Sequence, residues 1–191
     1  MASSGDPEFI SSSTPLPPDG NDNYFKFDVI LRFLLFAASL VTVVVMVTSN
    51  ETKLVLFQGI PVPQPAKFGY SPAFIYFVTA FSVSGLYSII TTLASLSVVK
   101  KPHLKTNFLL HFIFWDSLIL GIIASATGAV GGVAYVGLKG NKHLGWGKIC
   151  GTYDKFCSHT AGSFAVALFG CVVTLLLIWL SAYAMQRRIP K

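Results

Sequence analysis

The chain has 191 residues, of which 53% are hydrophobic and 12% charged, with a mean hydropathy of +0.64 and a formal net charge of +6. A soluble domain carries about 25% charged residues, so this composition excludes an ordinary globular fold. The charged side chains fall mostly in the tails or between four uncharged runs, Phe33 to Asn50, Phe68 to Val99, Ser117 to Leu138 and Thr160 to Gln186. Crossing ~30 Å of hydrocarbon takes roughly 20 apolar residues, so each run supplies one span, the first with help from its flanks. The expected fold class is an all-α membrane protein, a four-helix transmembrane bundle.

Residues 1–27 are expected to form a disordered tail. Asp6, Glu8, Asp19 and Asp22, the Ser11-Ser12-Ser13 run and Pro15, Pro17 and Pro18 leave too little apolar surface to offset the entropy of ordering. Residues 1–23 also lack the basic start and apolar centre of a cleaved signal, so the first helix is expected to act as the insertion signal. Neither Ala2 nor the Arg-Ile-Pro-Lys end matches a lipidation signal.

The membrane domain is expected over 28–186, with helices at about 28–48, 72–99, 107–133 and 160–186 and a short tail at 187–191. Ser71-Pro72 places a capping residue before an N1 proline, Lys101-Pro102 stops the second helix, and Arg187-Arg188 closes the fourth where the dipole favours cations. A β-barrel is excluded because the runs show no alternation of period two and are too long for tilted strands. The connection of about seven residues between the second and third helices forces an antiparallel pair. In the first long loop, Gly59-Ile60-Pro61-Val62-Pro63-Gln64-Pro65 predicts a stiff, proline-punctuated link.

Orientation follows from where the basic residues crowd. With both termini cytosolic, Lys26, Lys100, Lys101, Lys105, Arg187, Arg188 and Lys191 sit in short segments flush with helix ends, where the positive-inside rule acts. Lys53, Lys67, Lys139, Lys142, Lys148 and Lys155 are then spread over the longer outer loops. Cys150 and Cys157, and the glycosylation sequon Asn50-Glu51-Thr52, fall on the outer side in the same topology. Asn50 abuts the membrane, which works against its modification.

Only Arg32 and Asp116 place charge inside apolar stretches, and a lone charge there costs ~2.5–3.5 kcal/mol on insertion scales. The first and third helices run in the same direction, so both residues enter from one face. At ~1.5 Å per residue, Arg32 lies about 6 Å past Asp28 and Asp116 about 13 Å past Asn107, an offset that a long guanidinium spans. An Arg32–Asp116 pair that registers the two helices is the favoured expectation. The alternatives are an Arg32 that snorkels beside an Asp116 bonded to Ser, Thr or His111, and an ion or proton path through Asp116.

Small residues at four-residue spacing mark faces for close helix approach: Ala80, Ser84, Ser88 and Thr92; Gly121, Ser125 and Ala129; and Ser163, Ala167 and Cys171. Gly128 and Gly132 add one GxxxG. Packing within the bundle and packing between copies both use such stripes. Phe74, Tyr76, Phe77, Phe108, Phe112, Phe114 and Trp115 are expected at lipid-facing or interfacial positions. In the last outer loop a Cys150–Cys157 disulfide is expected. Zinc on His143, Cys150, Cys157 and His159 is the alternative, although the spacing matches no common finger or ribbon. Cys171 is expected to be a small buried hydrophobe.

Together these residues resemble the plant Casparian strip membrane domain protein-like family, four-helix proteins distantly related to the MARVEL group. The likeness rests on Arg32 with Asp116, on Val47-Thr48-Ser49-Asn50-Glu51-Thr52-Lys53 and on Ala66-Lys67-Phe68-Gly69-Tyr70-Ser71-Pro72-Ala73-Phe74. It continues in Trp146-Gly147-Lys148-Ile149-Cys150 with Tyr153, Phe156 and Cys157. The pattern is most similar to the family's first subgroup. The resemblance implies a plasma-membrane scaffold with cytosolic termini that self-associates; the helices themselves offer no nucleophile and base at convincing spacing, no paired His and no CxxC, so no catalytic residue, cofactor or metal is expected. The implied partners are homo- and hetero-oligomers with related membrane proteins, membrane lipids and secreted cell-wall enzymes, with no nucleic acid. The loop from Ser49 to Ser71 lacks the aromatic-rich signature of members that mark Casparian strips, so the likeness carries the scaffold further than it carries recruitment of lignin-forming enzymes. A small ion or solute channel using Asp116, with His111, is the competing function class.

Overall fold

The computed structural model describes residues 19–57, 60–98, 105–143 and 145–186. Its helices are α1 Asp19–Val47, α2 Pro72–Val98, α3 Lys105–Lys139 and α4 Asp154–Gln186. Each is long and apolar enough to cross a membrane, over Lys26–Val47, Pro72–Leu96, Leu110–Lys139 and Asp154–Gln186. Side-chain pairs fix their order. Ser39 meets Ser84 and Asp28 meets Ser95 between α1 and α2, while Tyr87 meets Asp116 and Tyr76 meets Ser125 between α2 and α3. Phe164 of α4 covers Gly131 of α3, and Gly170 of α4 lies against Leu35 and Ala38 of α1. Each pair rises on one helix as it falls on the next, which makes an up-down-up-down ring. The short α2–α3 connection, 99–104, lies outside the described residues, as do 1–18 and the tail 187–191.

Within each buried face one row of residues, flanked by Ala38, Ala80, Gly85, Thr127 and Val173, keeps a common spacing. On α1 they are Asp28, Arg32, Leu35, Ser39, Thr42, Met46 and Ser49, and on α2 Phe74, Phe77, Phe81, Ser84, Ser88, Thr91 and Ser95. On α3 they are Asp116, Ile119, Ile123, Ala126 and Val130, and on α4 Thr160, Ser163, Ala167, Gly170, Thr174, Leu177 and Ser181. Steps of three and four alternate throughout, a mean period of about 3.5 that keeps facing seams in contact through a left-handed coil. A row at constant four-residue spacing drifts off such a seam. Accordingly Ala80, Ser84 and Ser88 are buried but Thr92 yields to Thr91 and Ser95, and Cys171 yields to Gly170 and Thr174.

The α3 stripe does not pack within the bundle. Gly121, Ser125, Gly128, Ala129 and Gly132 are exposed, because the inward face of α3 is filled by Ile119, Ile123 and Val130. The aromatic expectation also splits. Tyr76, Phe114 and Trp115 are exposed, but Phe77 is fully buried beside Phe81, and Phe74 is buried edge-on to Phe156 of α4. Flat rings fill the space that glycine and alanine leave on α4, with Phe81 against Gly170. The side chain of Phe108 lies outside the described residues.

Three boundaries move outward from the sequence expectation. α1 begins at Asp19, inside the segment expected as a tail, because a helix already formed extends at one hydrogen bond per residue without having to nucleate. α3 continues to Lys139 and ends at Gly140, whose φ of +70° suits glycine and where a Cβ would meet the Trp146 carbonyl at 2.8 Å. α4 starts at Asp154 rather than Thr160, for reasons that lie in the two long loops.

The proline-rich link is in fact a β-hairpin. Strand β1, Asn50–Phe57, pairs antiparallel with β2, Ile60–Lys67, in the register Asn50↔Lys67 to Phe57↔Ile60. Prolines 61, 63 and 65 recur at every second residue, so a strand pairing through its even positions loses no donor. A single 3-10 turn, Phe68–Tyr70, then leads into Pro72.

Candidate functional site

Inside the bundle, α1 supplies Asp28 and Arg32 one turn apart, and α3 supplies Asp116 from the opposite corner. Both Arg32 and Asp116 are fully buried. The guanidinium donates from Nη2 to Asp116 Oδ2 at 3.3 Å, from Nη1 to Asp116 Oδ1 at 3.5 Å and from Nε to Asp28 Oδ2 at 3.1 Å. The Tyr87 hydroxyl of α2 donates to Asp116 Oδ1 at 2.6 Å, and the Ser95 hydroxyl donates to Asp28 Oδ2 at 3.1 Å. The Phe112 ring lies under the guanidinium, 4.5 Å from its centre. Only a planar fork serves two carboxylates and a ring face at once, which is why the position suits arginine rather than lysine.

The sequence singled out Arg32 and Asp116, and the structure brings them together. Asp28, Tyr87, Ser95 and Phe112 were missed. The spacing of four between Asp28 and Arg32 was a usable signal, whereas the partners on α2 depend on helix rotation that no local pattern reports. His111 is elsewhere: it is exposed on the outside of α3 and accepts a 2.8 Å hydrogen bond from the Trp115 ring nitrogen. Asp116 already accepts from Arg32 and Tyr87, so its geometry is that of a structural anchor.

Removing one member of the pair strands the other in a low-dielectric interior. Arg32→Ala and Asp116→Ala are each expected to lower folding stability by about 3 kcal/mol or more, and Tyr87→Phe by about 1 kcal/mol. The Arg32→Ala/Asp116→Ala double variant should recover part of the loss of the worse single variant. Thermal unfolding and yield in detergent measure this, and strictly additive losses would refute pairing.

At the other end of the bundle the two long loops, α1–α2 and α3–α4, join. Glu51, on β1, accepts a 3.0 Å hydrogen bond from the Phe156 backbone N–H in the first turn of α4, and Lys53 Nζ lies 3.3 Å from its other oxygen. The helix gains a carboxylate at its positive end, which accounts for its early start. The Phe156 amide, with Lys53, holds the Glu51 carboxyl below the usual carboxylate range. The Tyr153 hydroxyl donates to the Gln64 carbonyl of β2 at 3.0 Å. Cys150 and Cys157 are disulfide-bonded with their Cα atoms 5.6 Å apart, which takes both thiols out of the zinc set. The Ile149 and Cys150 amides both donate to the Gly137 carbonyl, seating the bridged turn on the end of α3. Asn50 is exposed, and its side-chain amide donates to the Val47 carbonyl at 3.4 Å.

A carboxylate whose folded pKa is depressed contributes stability that is complete above its unfolded value, 4.5, and is lost as pH falls through the lower folded value. Acidification from about pH 6 to about pH 3 should therefore loosen the hairpin, read as proteolysis within β1–β2, and Glu51→Gln should be looser already at neutral pH with less further change. Opening the Cys150–Cys157 bridge should cost about 2.5 kcal/mol, visible as a lower unfolding midpoint for Cys150→Ser/Cys157→Ser; an unchanged midpoint would deny the bridge a stabilising role.

Comparison with known proteins places these features. The family model of the Casparian strip membrane protein domain matches residues 22–173, from α1 into α4. CASP-like protein 1D2 of Glycine max is 69% identical over 98% of this chain and 96% of its own length. CASP-like protein 1D1 of Populus trichocarpa is 56% identical over the whole of both chains, and CASP-like protein 1D1 of Arabidopsis thaliana is 52% identical over 84% of each. No solved structure matches the chain. With four spanning helices and a family match over most of its length, the chain belongs to the Casparian strip membrane protein domain family of membrane proteins.

Proposed function

We propose that the protein is a non-enzymatic scaffold of the plasma membrane, with cytosolic termini, that associates with itself and with related membrane proteins to organise local cell-wall modification. The observation that carries this reading is the outward face of α3. Glycines within the bundle touch other helices: Gly85 is near Ser39, Gly131 is under Phe164, and Gly170 is against Phe81. Gly121, Gly128 and Gly132 have open space where a Cβ would project. Small residues let helix backbones meet in lipid, which supplies no hydrophobic drive of its own, and here their own bundle does not use them. Tyr76, Phe114, Ser117, Leu118, Gly121, Ile122 and Ser125 line a shallow groove of about 460 Å³ along the same face, floored by a 2.8 Å Tyr76–Ser125 hydrogen bond. Its shape suits a second helix.

Single-molecule bleaching and lateral mobility of a tagged copy in a plant cell test the reading. The native chain should bleach in several steps and diffuse slowly within domains. Gly121→Leu/Gly128→Leu/Gly132→Leu, which fills the outward face and leaves the inward seam untouched, should shift the population to single steps and fast diffusion. Fast monomeric diffusion of the native chain would sink the scaffold. Liposome flux abolished by Asp116→Asn would replace it with the channel reading.

A further inference from the structure

The two edges of the β1–β2 ribbon are not equivalent. A proline has no N–H to give, so the residue pairs that exchange hydrogen bonds are Glu51↔Ala66, Lys53↔Gln64, Val55↔Val62 and Phe57↔Ile60. Prolines 61, 63 and 65 then turn their nitrogens to the free edge of β2 and block it at three successive outward positions. On β1 the same parity turns the N–H and C=O of Thr52, Leu54 and Leu56 outward, away from β2. The ribbon is thus closed to strand addition on one side and open on the other.

Charge selects the occupant. The outer loops carry six lysines against Glu51 and Asp154, and Glu51 is engaged by the first turn of α4. Lys53 stands on the open strand, its Nζ 3.3 Å from Glu51 Oε1 and its side chain still 46% exposed to a further carboxylate. A second copy would bring like charges together, whereas an acidic strand would meet opposite charge at the cross-strand position. On the other face of β1, Leu54 is 71% exposed beside the exposed Pro63, an apolar surface one residue out of phase with Lys53. We propose that the open edge of β1 takes one extended segment of a partner polypeptide, acidic on the Lys53 face and apolar on the Leu54 face. This deepens the recruiting half of the scaffold reading and makes no use of self-association.

The test uses the full chain in lipid nanodiscs and a synthetic peptide of alternating Glu and Val as the probe. Saturable binding, by fluorescence anisotropy, should protect the Thr52, Leu54 and Leu56 amides from deuterium exchange. Leu54→Pro removes an outward N–H that the hairpin ladder does not use, and should weaken binding by about tenfold or more with the Cys150–Cys157 bridge intact. A peptide N-methylated along one edge should lose affinity to a similar extent on the unaltered protein, which keeps the test sharp even where the proline variant folds poorly. Lys53→Glu should exchange the preference for a Lys-Val peptide. Unchanged affinity of both the Leu54→Pro protein and the N-methylated peptide would overturn strand addition, as would equal binding of polyglutamate that protects no β1 amide. Protection of β1 that rises with protein concentration alone would overturn the partner in favour of a second copy. Bleaching steps counted on Leu54→Pro should match the native chain, so failure here and failure of the scaffold are read separately.

Discussion

One ion pair in a solvent that cannot hydrate it sets the frame for the bundle. Arg32 and Asp116 stand on α1 and α3, helices that are diagonal in the ring, and Asp28, one turn before Arg32, gives the guanidinium a second carboxylate. An unpaired charge at that depth costs ~2.5–3.5 kcal/mol, and the cost disappears only when both helices share a depth and a rotation. Tyr87 and Ser95 draw α2 into the same agreement through Asp116 and Asp28. Three of the four helices are registered from one point, and α4 is left to be held by shape and by its capped end.

Shape is supplied by residues chosen for size. The seam is rich in serine and threonine, yet Ser39 and Ser84 approach only to 3.4 Å, and the Thr42, Ser88 and Ser163 hydroxyls have no hydrogen-bond partner among the described residues. Other hydroxyls in or beside the seam turn back on their own helix, as Thr91 does to Tyr87, Thr127 to Ile123 and Thr174 to Gly170. Hydroxyls satisfied within a helix leave the interhelical contact to van der Waals packing, so the short side chains act as spacers and Phe77 and Phe81 as fillers.

Much of this was legible in the sequence because hydrocarbon imposes simple rules. Four uncharged runs gave four helices, and two charges in the wrong solvent located Arg32 and Asp116. The seams were harder, since in lipid both faces of a helix are apolar and a four-residue row of small side chains resembles a 3.5-residue seam over one or two turns. That is how Thr92 stood in for Thr91, and why the α3 row alone left packing within the bundle and packing between copies both open. The hairpin was hidden for another reason. Three prolines argue against a strand unless all three fall on one edge, and only the pairing partner decides the edge. Glu51 carried no local mark at all, because the helix end it serves lies in a different loop.

That long reach has a kinetic side. Glu51 leaves the ribosome well before the helix it caps, and α4 is made after the three other spans. Until it arrives, the first hairpin lacks both its contact with the Phe156 amide and the Tyr153 hydroxyl, and the first turn of α4 in turn has its amides unmet until it finds Glu51. Two loops encoded far apart therefore complete their shared hydrogen bonds only once α4 is in place. Opening either loop breaks bonds that hold the other, so the hairpin and the first turn of α4 are coupled in stability.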